Sequence, residues 1–137
     1  MCKEVKNFSD LPKIIAVDFD GTLVEDKWPE IGKPNKEMFE FLKYLQKEHN
    51  IKLILWTSRT DRHLIDAVEF CKAQGMEFDT INENLPEVKS LTGRDTRKVY
   101  ADLYIDDRAV HETQSPVYWC NKIGLSWYEL MGHIPAY

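Results

Sequence analysis

Two aspartates stand one residue apart at the end of a short apolar run, where their carboxylates could do chemistry. Asp18 and Asp20 follow the segment 13–17 and lead directly into Gly21 and Thr22. Two carboxylates this close repel each other, which tends to raise the pKa of at least one of them. A bound cation relieves the repulsion, and oxygen ligands of this kind suit Mg²⁺. The pair therefore predicts an acidic site that can hold a metal ion.

Further polar residues follow two other apolar runs. Thr57 comes after the run 51–56, and Asp106 and Asp107 come after the run 101–105. Mg²⁺ usually takes only one or two carboxylates from a protein and keeps several of its waters. Either Asp106 or Asp107 could therefore complete the site that Asp18 and Asp20 begin.

Short apolar runs, typical of strands buried on both faces, alternate with helical segments along the chain. Strands are predicted at 13–18, 51–56, 78–81, 101–105 and 117–119. This alternation favours the α/β class, as a three-layer sandwich with a mostly parallel, Rossmann-like central sheet. Ligands bind such sheets at the carboxyl ends of the strands. We therefore expect Asp18, Thr57 and Asp106 to converge on one crevice.

Two helices are predicted between the strands. The first begins after its N-cap, Asn35, and its apolar stripe has helical spacing: Met38, Phe41, Leu42 and Leu45. The second runs from about residue 60 to 74 and ends before Gly75, and its buried face is Leu64, Val68 and Cys71. Residues 25–34 contain two prolines and a glycine and predict a loop. The polar stretch 82–97 has no clear pattern, and a short C-terminal helix is expected.

The composition is that of an ordinary globular domain. The chain has 137 residues, of which 43% are apolar and 30% charged. A net charge of −5 disfavours a protein that grips nucleic-acid backbone, but it allows a phosphorylated small molecule. Three cysteines without a C-x-x-C pair indicate neither a disulfide framework nor a zinc site. No apolar run is long enough for a signal peptide or a membrane span, so a cytoplasmic protein is expected.

Three of these segments resemble motifs of one family. Residues 14–23 resemble the first motif of the haloacid dehalogenase (HAD) superfamily of phosphohydrolases, since they read Ile-Ile-Ala-Val-Asp-Phe-Asp-Gly-Thr-Leu. Residues 53–57 are similar to its second motif, an apolar strand ending in Thr or Ser. Residues 104–107 are similar to its fourth, an apolar strand ending in paired acids. The motifs occur in the family's order over about residues 13–110.

The resemblance implies a Mg²⁺-dependent phosphomonoester hydrolase with an aspartyl-phosphate intermediate. Asp18 is then the nucleophile, while Asp20 protonates the leaving oxygen and afterwards activates water. Mg²⁺ is held by the carboxylates of Asp18 and Asp106 and by the backbone carbonyl of Asp20, with Asp107 acting on it through water. Thr57 donates a hydrogen bond to the phosphoryl oxygens.

The third motif of the family is a lone cation, and Lys98 fits it best. Three other cations remain open for that role: Lys89, Arg94 and Arg97. Five residues are candidate substrate contacts: Gly21, Ser58, Arg59, Trp28 and Lys33. Gly21 would let the backbone come close to the phosphate. The loop 25–34 could act as a partial lid.

The intervals between the motifs leave no room for a separate cap domain. The chain therefore resembles the minimal, capless members of the superfamily, as one domain over residues 1–137 with an open site. Its expected partner is a phosphorylated small molecule or macromolecule, with no membrane, and a homo-oligomer remains open. The alternatives are a non-catalytic or a phospho-accepting binding module. A response receiver would place its acidic pair after the first strand, whereas here the double Asp comes last. No Gly-rich Walker loop suggests a kinase.

Overall fold

The structure is a computed structural model, and it describes residues 4–109. Four parallel strands form the central sheet: β1 (Ile14–Val17), β4 (Lys52–Leu55), β5 (Thr80–Ile81) and β6 (Leu103–Ile105). Their order is β5-β4-β1-β6, so β1 has β4 on one side and β6 on the other. The predicted α/β class with a parallel sheet is confirmed.

Helices cover both faces of this sheet. As a result every residue of β1 is buried, and alternate residues of β1 belong to two different hydrophobic cores. Ile15 and Val17 pack with residues of α1 (Lys36–Glu48) and α2 (Asp61–Ala73). Ile14 and Ala16 pack instead with Val88 of α3 (Pro86–Thr92). The arrangement is consistent with the predicted Rossmann-like, three-layer sandwich.

The predicted start of α1 is confirmed, because the Asn35 side chain accepts a hydrogen bond from the Met38 N–H at 3.2 Å. The predicted apolar stripe is wrong at one position. Phe41 is 50% exposed, and Phe39 is buried in its place with Leu42. Two residues advance about 200° around a helix. A helix that buries Phe39 must therefore turn Phe41 toward solvent.

The predicted loop after the first motif is instead an antiparallel hairpin. Its strands are β2 (Val24–Lys27) and β3 (Glu30–Pro34). Pro29 lies in the turn, after a cis peptide bond from Trp28, and Pro34 is the last residue of β3. Proline has no N–H to donate to a ladder, so it is tolerated in turns and in edge strands but not inside a central strand. The two prolines that suggested a loop are thus compatible with a hairpin.

The polar stretch 82–97 contains α3, which the sequence did not predict. Pro86 is at the first turn of this helix, and Gly93 follows its end with φ +74°, as both residues commonly do. The predicted strand at 78–81 is reduced to Thr80–Ile81. The strand at 117–119 and the C-terminal helix lie outside the described residues.

The chain divides into two compact units, Met1–Asp107 and Arg108–Tyr137. The single domain over residues 1–137 therefore stays a prediction.

The intervals in which a cap domain could be inserted are filled by elements already described. Between Asp20 and Thr57 the chain forms the hairpin, α1 and β4, and from Thr57 to Lys98 it forms α2, β5 and α3. Within residues 4–109, no helix has both the length and the apolar character needed to cross a membrane.

Candidate active site

The carboxyl ends of the four parallel strands carry polar residues to one edge of the sheet. Asp18 directly follows β1, Asn82 follows β5 and Asp106 follows β6, while Thr57 lies two residues beyond β4. The hydrogen-bonded ladder continues past β1, because the Asp18 N–H donates to the Ile105 carbonyl at 2.9 Å. Regular sheet hydrogen bonding therefore fixes the backbone from which Asp18 projects.

Three of the acids at this edge form an acid cluster, made of Asp18, Asp106 and Asp107. One carboxylate oxygen of each lies within 4.8 Å of the others. The pKa of Asp18 is raised to about 7, mainly by burial and next by the charge of Asp106. A backbone hydrogen bond from Phe19 lowers this pKa in part, and Asp107 raises it. At pH 7 the Asp18 carboxyl is therefore close to half protonated when no cation is bound.

The acid cluster offers donors that fit a hard divalent cation. All of its donors are carboxylate oxygens, which Mg²⁺ prefers, and a cation would relieve the repulsion that raises the Asp18 pKa. Asp107 was expected to act on the metal through water, but its carboxylate is part of the cluster. The Asp20 carboxylate is not part of the cluster. Acidic side chains also cluster without a metal, so Mg²⁺ stays a prediction.

The backbone at Gly21 leaves room for the Asp107 side chain. Gly21 has φ +86°, and a Cβ built on it would lie 2.2 Å from Asp107 Oδ2. The Asp107 N–H donates to Thr22 Oγ1 at 3.1 Å, and the Gly21 N–H donates to the Val24 carbonyl at 2.8 Å. The glycine that was expected to admit a phosphate thus admits a carboxylate of the acid cluster.

Asp20 is held by a buried arginine. Arg59 Nε donates to Asp20 Oδ2 and Arg59 Nη2 donates to Asp20 Oδ1, both at 2.7 Å. The Arg59 side chain is 1% exposed and that of Asp20 is 20% exposed. Bidentate pairs of this kind are among the strongest hydrogen-bonded contacts in proteins. While the pair is closed, both carboxylate oxygens of Asp20 accept hydrogen bonds from Arg59.

Arg59 has further contacts that complete its hydrogen bonding. Its three other hydrogen bonds go to backbone carbonyls: Glu30 at 3.0 Å, Pro29 at 3.3 Å and His63 at 3.4 Å. Its guanidinium carbon lies 5.1 Å from the centre of the Phe19 ring and 4.9 Å from that of Trp28. The prediction that Arg59 contacts substrate is therefore not supported by its placement, because a guanidinium has five N–H donors. Arg59 instead links Asp20, the hairpin and α2.

Thr57 lies in a turn that leaves its hydroxyl hydrogen available. Thr57 Oγ1 accepts from the Arg59 N–H at 3.1 Å, and the Thr57 N–H donates to Asn82 Oδ1 at 2.8 Å. A hydroxyl can accept and donate at once. Thr57 can therefore still donate to a ligand, and Ser58 beside it is exposed.

A pocket of about 330 Å³ lies at the strand ends. Its lining residues come from three strand ends: Trp56, Thr57, Ser58, Asn82 and Asp106. Because Asp106 also belongs to the acid cluster, the pocket borders that cluster. This strand-end pocket is at the small end of the range for ligand sites.

The predicted cation, Lys98, lies beside the strand that ends in the acid cluster. Its Nζ is 5.1 Å from the centre of the Tyr104 ring, and Tyr104 is two residues before Asp106. Lys98 makes no ion pair with any acid among residues 4–109. Lys89, one of its competitors, is paired with Glu83 at 3.0 Å. The other two competitors, Arg94 and Arg97, are exposed.

A buried amide holds the loop that carries Lys98. Asn84 is fully buried, and its Oδ1 accepts from the Tyr100 N–H at 2.6 Å. Its Nδ2 donates to Asp95 Oδ1 at 2.8 Å and to Thr96 Oγ1 at 3.2 Å. The position of the loop therefore depends on one asparagine, which the sequence did not single out.

The hairpin carries the two remaining candidate contacts. Trp28, at its turn, is 55% exposed, and its ring packs against His63 with centroids 4.8 Å apart. Lys33 is exposed and lines a separate pocket of about 270 Å³ with Gly21 and Thr22. Both residues lie near the site, but the strand-end pocket includes neither of them.

Comparison with known proteins adds one match. No family model matches the chain, and no curated protein matches it. A solved structure, described as the conserved protein coded by locus from Bacteroides thetaiotaomicron, is 38% identical with a TM-score of 0.65. The match covers 88% of this chain and 98% of that one. The description names no activity.

Proposed function

We propose a function for this chain, which belongs to the same family as the conserved Bacteroides thetaiotaomicron protein. It is a Mg²⁺-dependent phosphomonoester hydrolase of the capless HAD type that acts through an aspartyl-phosphate. One observation carries the proposal: the acid cluster of Asp18, Asp106 and Asp107 lies at the carboxyl edge of a parallel sheet, beside the hydroxyl of Thr57. Clustered acids with a perturbed pKa at such an edge are typical of catalytic sites.

The reaction has two displacement steps at phosphorus. In the first, a carboxylate oxygen of Asp18 bonds to phosphorus while the bond from phosphorus to the ester oxygen breaks and the alcohol leaves with a proton. In the second, water attacks phosphorus, the bond to Asp18 breaks, and the water gives up a proton as inorganic phosphate leaves. Asp18 must be ionised to attack, and its pKa near 7 makes this form scarce below neutral pH. Bound Mg²⁺ would supply positive charge that stabilises the ionised carboxylate and the phosphoryl oxygens.

In this proposal, Asp20 acts in the second step. As a carboxylate in the pair with Arg59, it is ready to accept the proton of the attacking water. Donating a proton to the leaving alcohol in the first step requires the pair with Arg59 to open. The hydroxyl of Thr57 and the ammonium of Lys98 stabilise the equatorial oxygens, where charge is spread in phosphoryl transfer.

The pair between Asp20 and Arg59 favours a second candidate, a phospho-accepting binding module. If the pair stays closed, no proton reaches a poor leaving group, and only donors with good leaving groups would phosphorylate Asp18. The phosphorylated aspartate would then be the functional state rather than an intermediate. The two candidates differ in turnover, because a hydrolase releases many phosphates per molecule and the module releases few.

The test measures phosphate release from a panel of phosphate esters with and without Mg²⁺. Aryl phosphates, sugar phosphates, nucleotides and phosphopeptides make up the panel. The wild-type chain should release phosphate only with Mg²⁺, and Asp18→Asn should lower the rate at least about a thousandfold. Asp66→Asn is the matched control, because Asp66 lies on the surface of α2 in an exposed pair with Arg62. That variant should keep the wild-type rate.

Two outcomes would count against the hydrolase. Release of no phosphate from any ester, combined with a stable phosphoryl group on Asp18 detected by mass spectrometry, would favour the binding module. Full activity in Asp18→Asn would show that Asp18 is not the nucleophile. Equal loss in the Asp66→Asn control would mean that the assay reports damage to the fold.

A further inference from the structure

Asn82 is a polar residue of the strand-end pocket to which the proposed reaction gives no role. It has φ +53°, in the left-handed region that non-glycine residues seldom adopt. Its backbone is nevertheless tied to the sheet, because the Asn82 N–H donates to the Leu55 carbonyl at 2.8 Å. Backbone in this region is concentrated at functional sites, where the surrounding structure holds it in place.

The side-chain amide of Asn82 has a fixed orientation. Its Oδ1 accepts the Thr57 N–H at 2.8 Å, and only the oxygen of an amide can accept. The Nδ2 donors are therefore turned away from Thr57, and no residue in the range 4–109 accepts a hydrogen bond from them. Asn82 thus presents a preoriented donor in the lining of the strand-end pocket.

The order of the strands decides which part of a substrate can reach this donor. Asn82 follows β5, and β4 lies between β5 and β1, which ends at Asp18. Neighbouring strands are about 4.8 Å apart, so the backbone of Asn82 is about 10 Å from the backbone of Asp18. A phosphorus atom poised for attack is only about 3 Å from the attacking oxygen. The phosphoryl group therefore lies nearer to β1 and β4 than to β5, and the part of the substrate that extends away from it along the pocket comes closest to Asn82.

We infer that Asn82 is a substrate-contacting residue whose Nδ2 donates to an oxygen of the alcohol portion of the ester. This inference rests on the proposed phosphohydrolase activity, and it specifies how the ester is oriented in the site. The phosphoryl group lies at the acid cluster, and the alcohol extends along the strand-end pocket past Trp56 and Ser58 to Asn82. The substrate class is a phosphate ester of an alcohol with a further hydroxyl or carbonyl oxygen, such as a sugar phosphate.

The kinetic test compares two esters that share the phosphate and differ in the alcohol. Ribose 5-phosphate has oxygens that can accept from Nδ2, whereas phenyl phosphate has none beyond the ester. Asn82→Gly should lower the ratio of kcat/KM for ribose 5-phosphate to that for phenyl phosphate about tenfold, through KM. Asn82→Asp, which keeps the acceptor for the Thr57 N–H and loses the donor, should lower the same ratio. Any damage to Thr57 affects both esters and cancels in the ratio.

Asn50 provides a matched control. It is an asparagine with φ +51°, and it lies before β4, at the opposite edge of the sheet. Asn50→Gly should leave the ratio unchanged. An unchanged ratio in both Asn82 variants, or an equal change in Asn50→Gly, would overturn the inference.

A second measurement does not require turnover. In the Asp18→Asn variant, the Asn82 side-chain amide resonances should shift when ribose 5-phosphate is added and stay in place with inorganic phosphate. No shift with ribose 5-phosphate at millimolar concentration would overturn the inference. If the wild-type chain releases phosphate from no ester of the panel and the amide still shifts, the proposed hydrolase fails while the contact at Asn82 stands.

Discussion

Removing the guanidinium of Arg59 should destabilise the fold more than any surface charge does. Arg59→Met keeps most of the side-chain length but removes both hydrogen bonds to Asp20 and three to backbone carbonyls. Breaking a buried ion pair from one side costs about 3–5 kcal/mol, because the remaining charge stays desolvated. Asp20 retains 20% exposure, so water can partly solvate it. We therefore expect a loss of about 3 kcal/mol, at the low end of that range.

Urea unfolding followed by circular dichroism measures this loss. A change of about 3 kcal/mol corresponds to a midpoint lower by about 1.5 M urea at an ordinary slope. Arg62→Met is the matched control, since the pair of Arg62 with Asp66 at 3.1 Å is an exposed i,i+4 contact with a 79% exposed arginine. It should cost less than about 0.5 kcal/mol.

A double-mutant cycle tests whether the cost belongs to the pair. Asp20→Asn and Arg59→Met should be non-additive, with a coupling of about 2 kcal/mol, because each single change leaves one charge without its partner. A loss below about 1 kcal/mol in Arg59→Met, or costs that simply add in the double variant, would refute the reasoning. The pair would then be a contact of little energetic weight.

Three further predictions concern other parts of the site and core. Gly21→Ala should cost about 1–3 kcal/mol of stability, because Gly21 has φ +86° and the new Cβ would meet the Asp107 carboxylate. Thermal unfolding measures this loss. Gly93→Ala is the control for the backbone strain alone, because Gly93 has φ +74° and a Cβ there would have no neighbour within 4 Å. Burial raises the pKa of the Cys71 thiol to about 12, so iodoacetamide at pH 8 should label Cys71 only in urea, as peptide mass spectrometry can show. The Asp18 pKa is about 7 in the folded protein and about 3.8 in the unfolded chain, so the folded state binds the proton more tightly. The free energy of unfolding of the metal-free protein should therefore decrease as the pH rises from about 4 to 7. Melting temperatures in EDTA should show a smaller fall for Asp18→Asn, and an equal fall in the two proteins would contradict the assignment.

Strands with strong local signals could be predicted from the sequence. β1 is a continuous apolar run, and β4 has three apolar residues after Lys52, all of them buried. The N-cap at Asn35 and the glycine at the end of α2 were also predictable, because both depend on local backbone geometry. Asp18 and Asp106 were predicted to approach each other because parallel strands end at the same edge, and their carboxylates lie within 4.8 Å.

The parts that were missed depend on contacts between distant segments. Arg59 follows two polar residues and has the sequence context of an exposed arginine, yet its acceptors come from the first motif, the hairpin and α2. Asn82 lies at the start of a polar stretch, and its role appears only once β5 is beside β4. Its signal, an asparagine directly after a short strand, was too common to single out. The hairpin was missed because its prolines occupy tolerated positions.

The central place of β1 in the sheet has a consequence for the order in which the chain is made. Val17 pairs with Leu55 on one side and with Ile105 on the other, so the two neighbours of β1 leave the ribosome at different times. A nascent chain that has just passed β4 and the turn after it already carries Asp18, Asp20 and Thr57, but it lacks Asp106 and Asp107. Because domains fold during synthesis from the N-terminus, the acidic set at Asp18 is completed late. Incomplete chains would therefore carry Asp18, the proposed nucleophile, before Asp106 and Asp107 are present beside it.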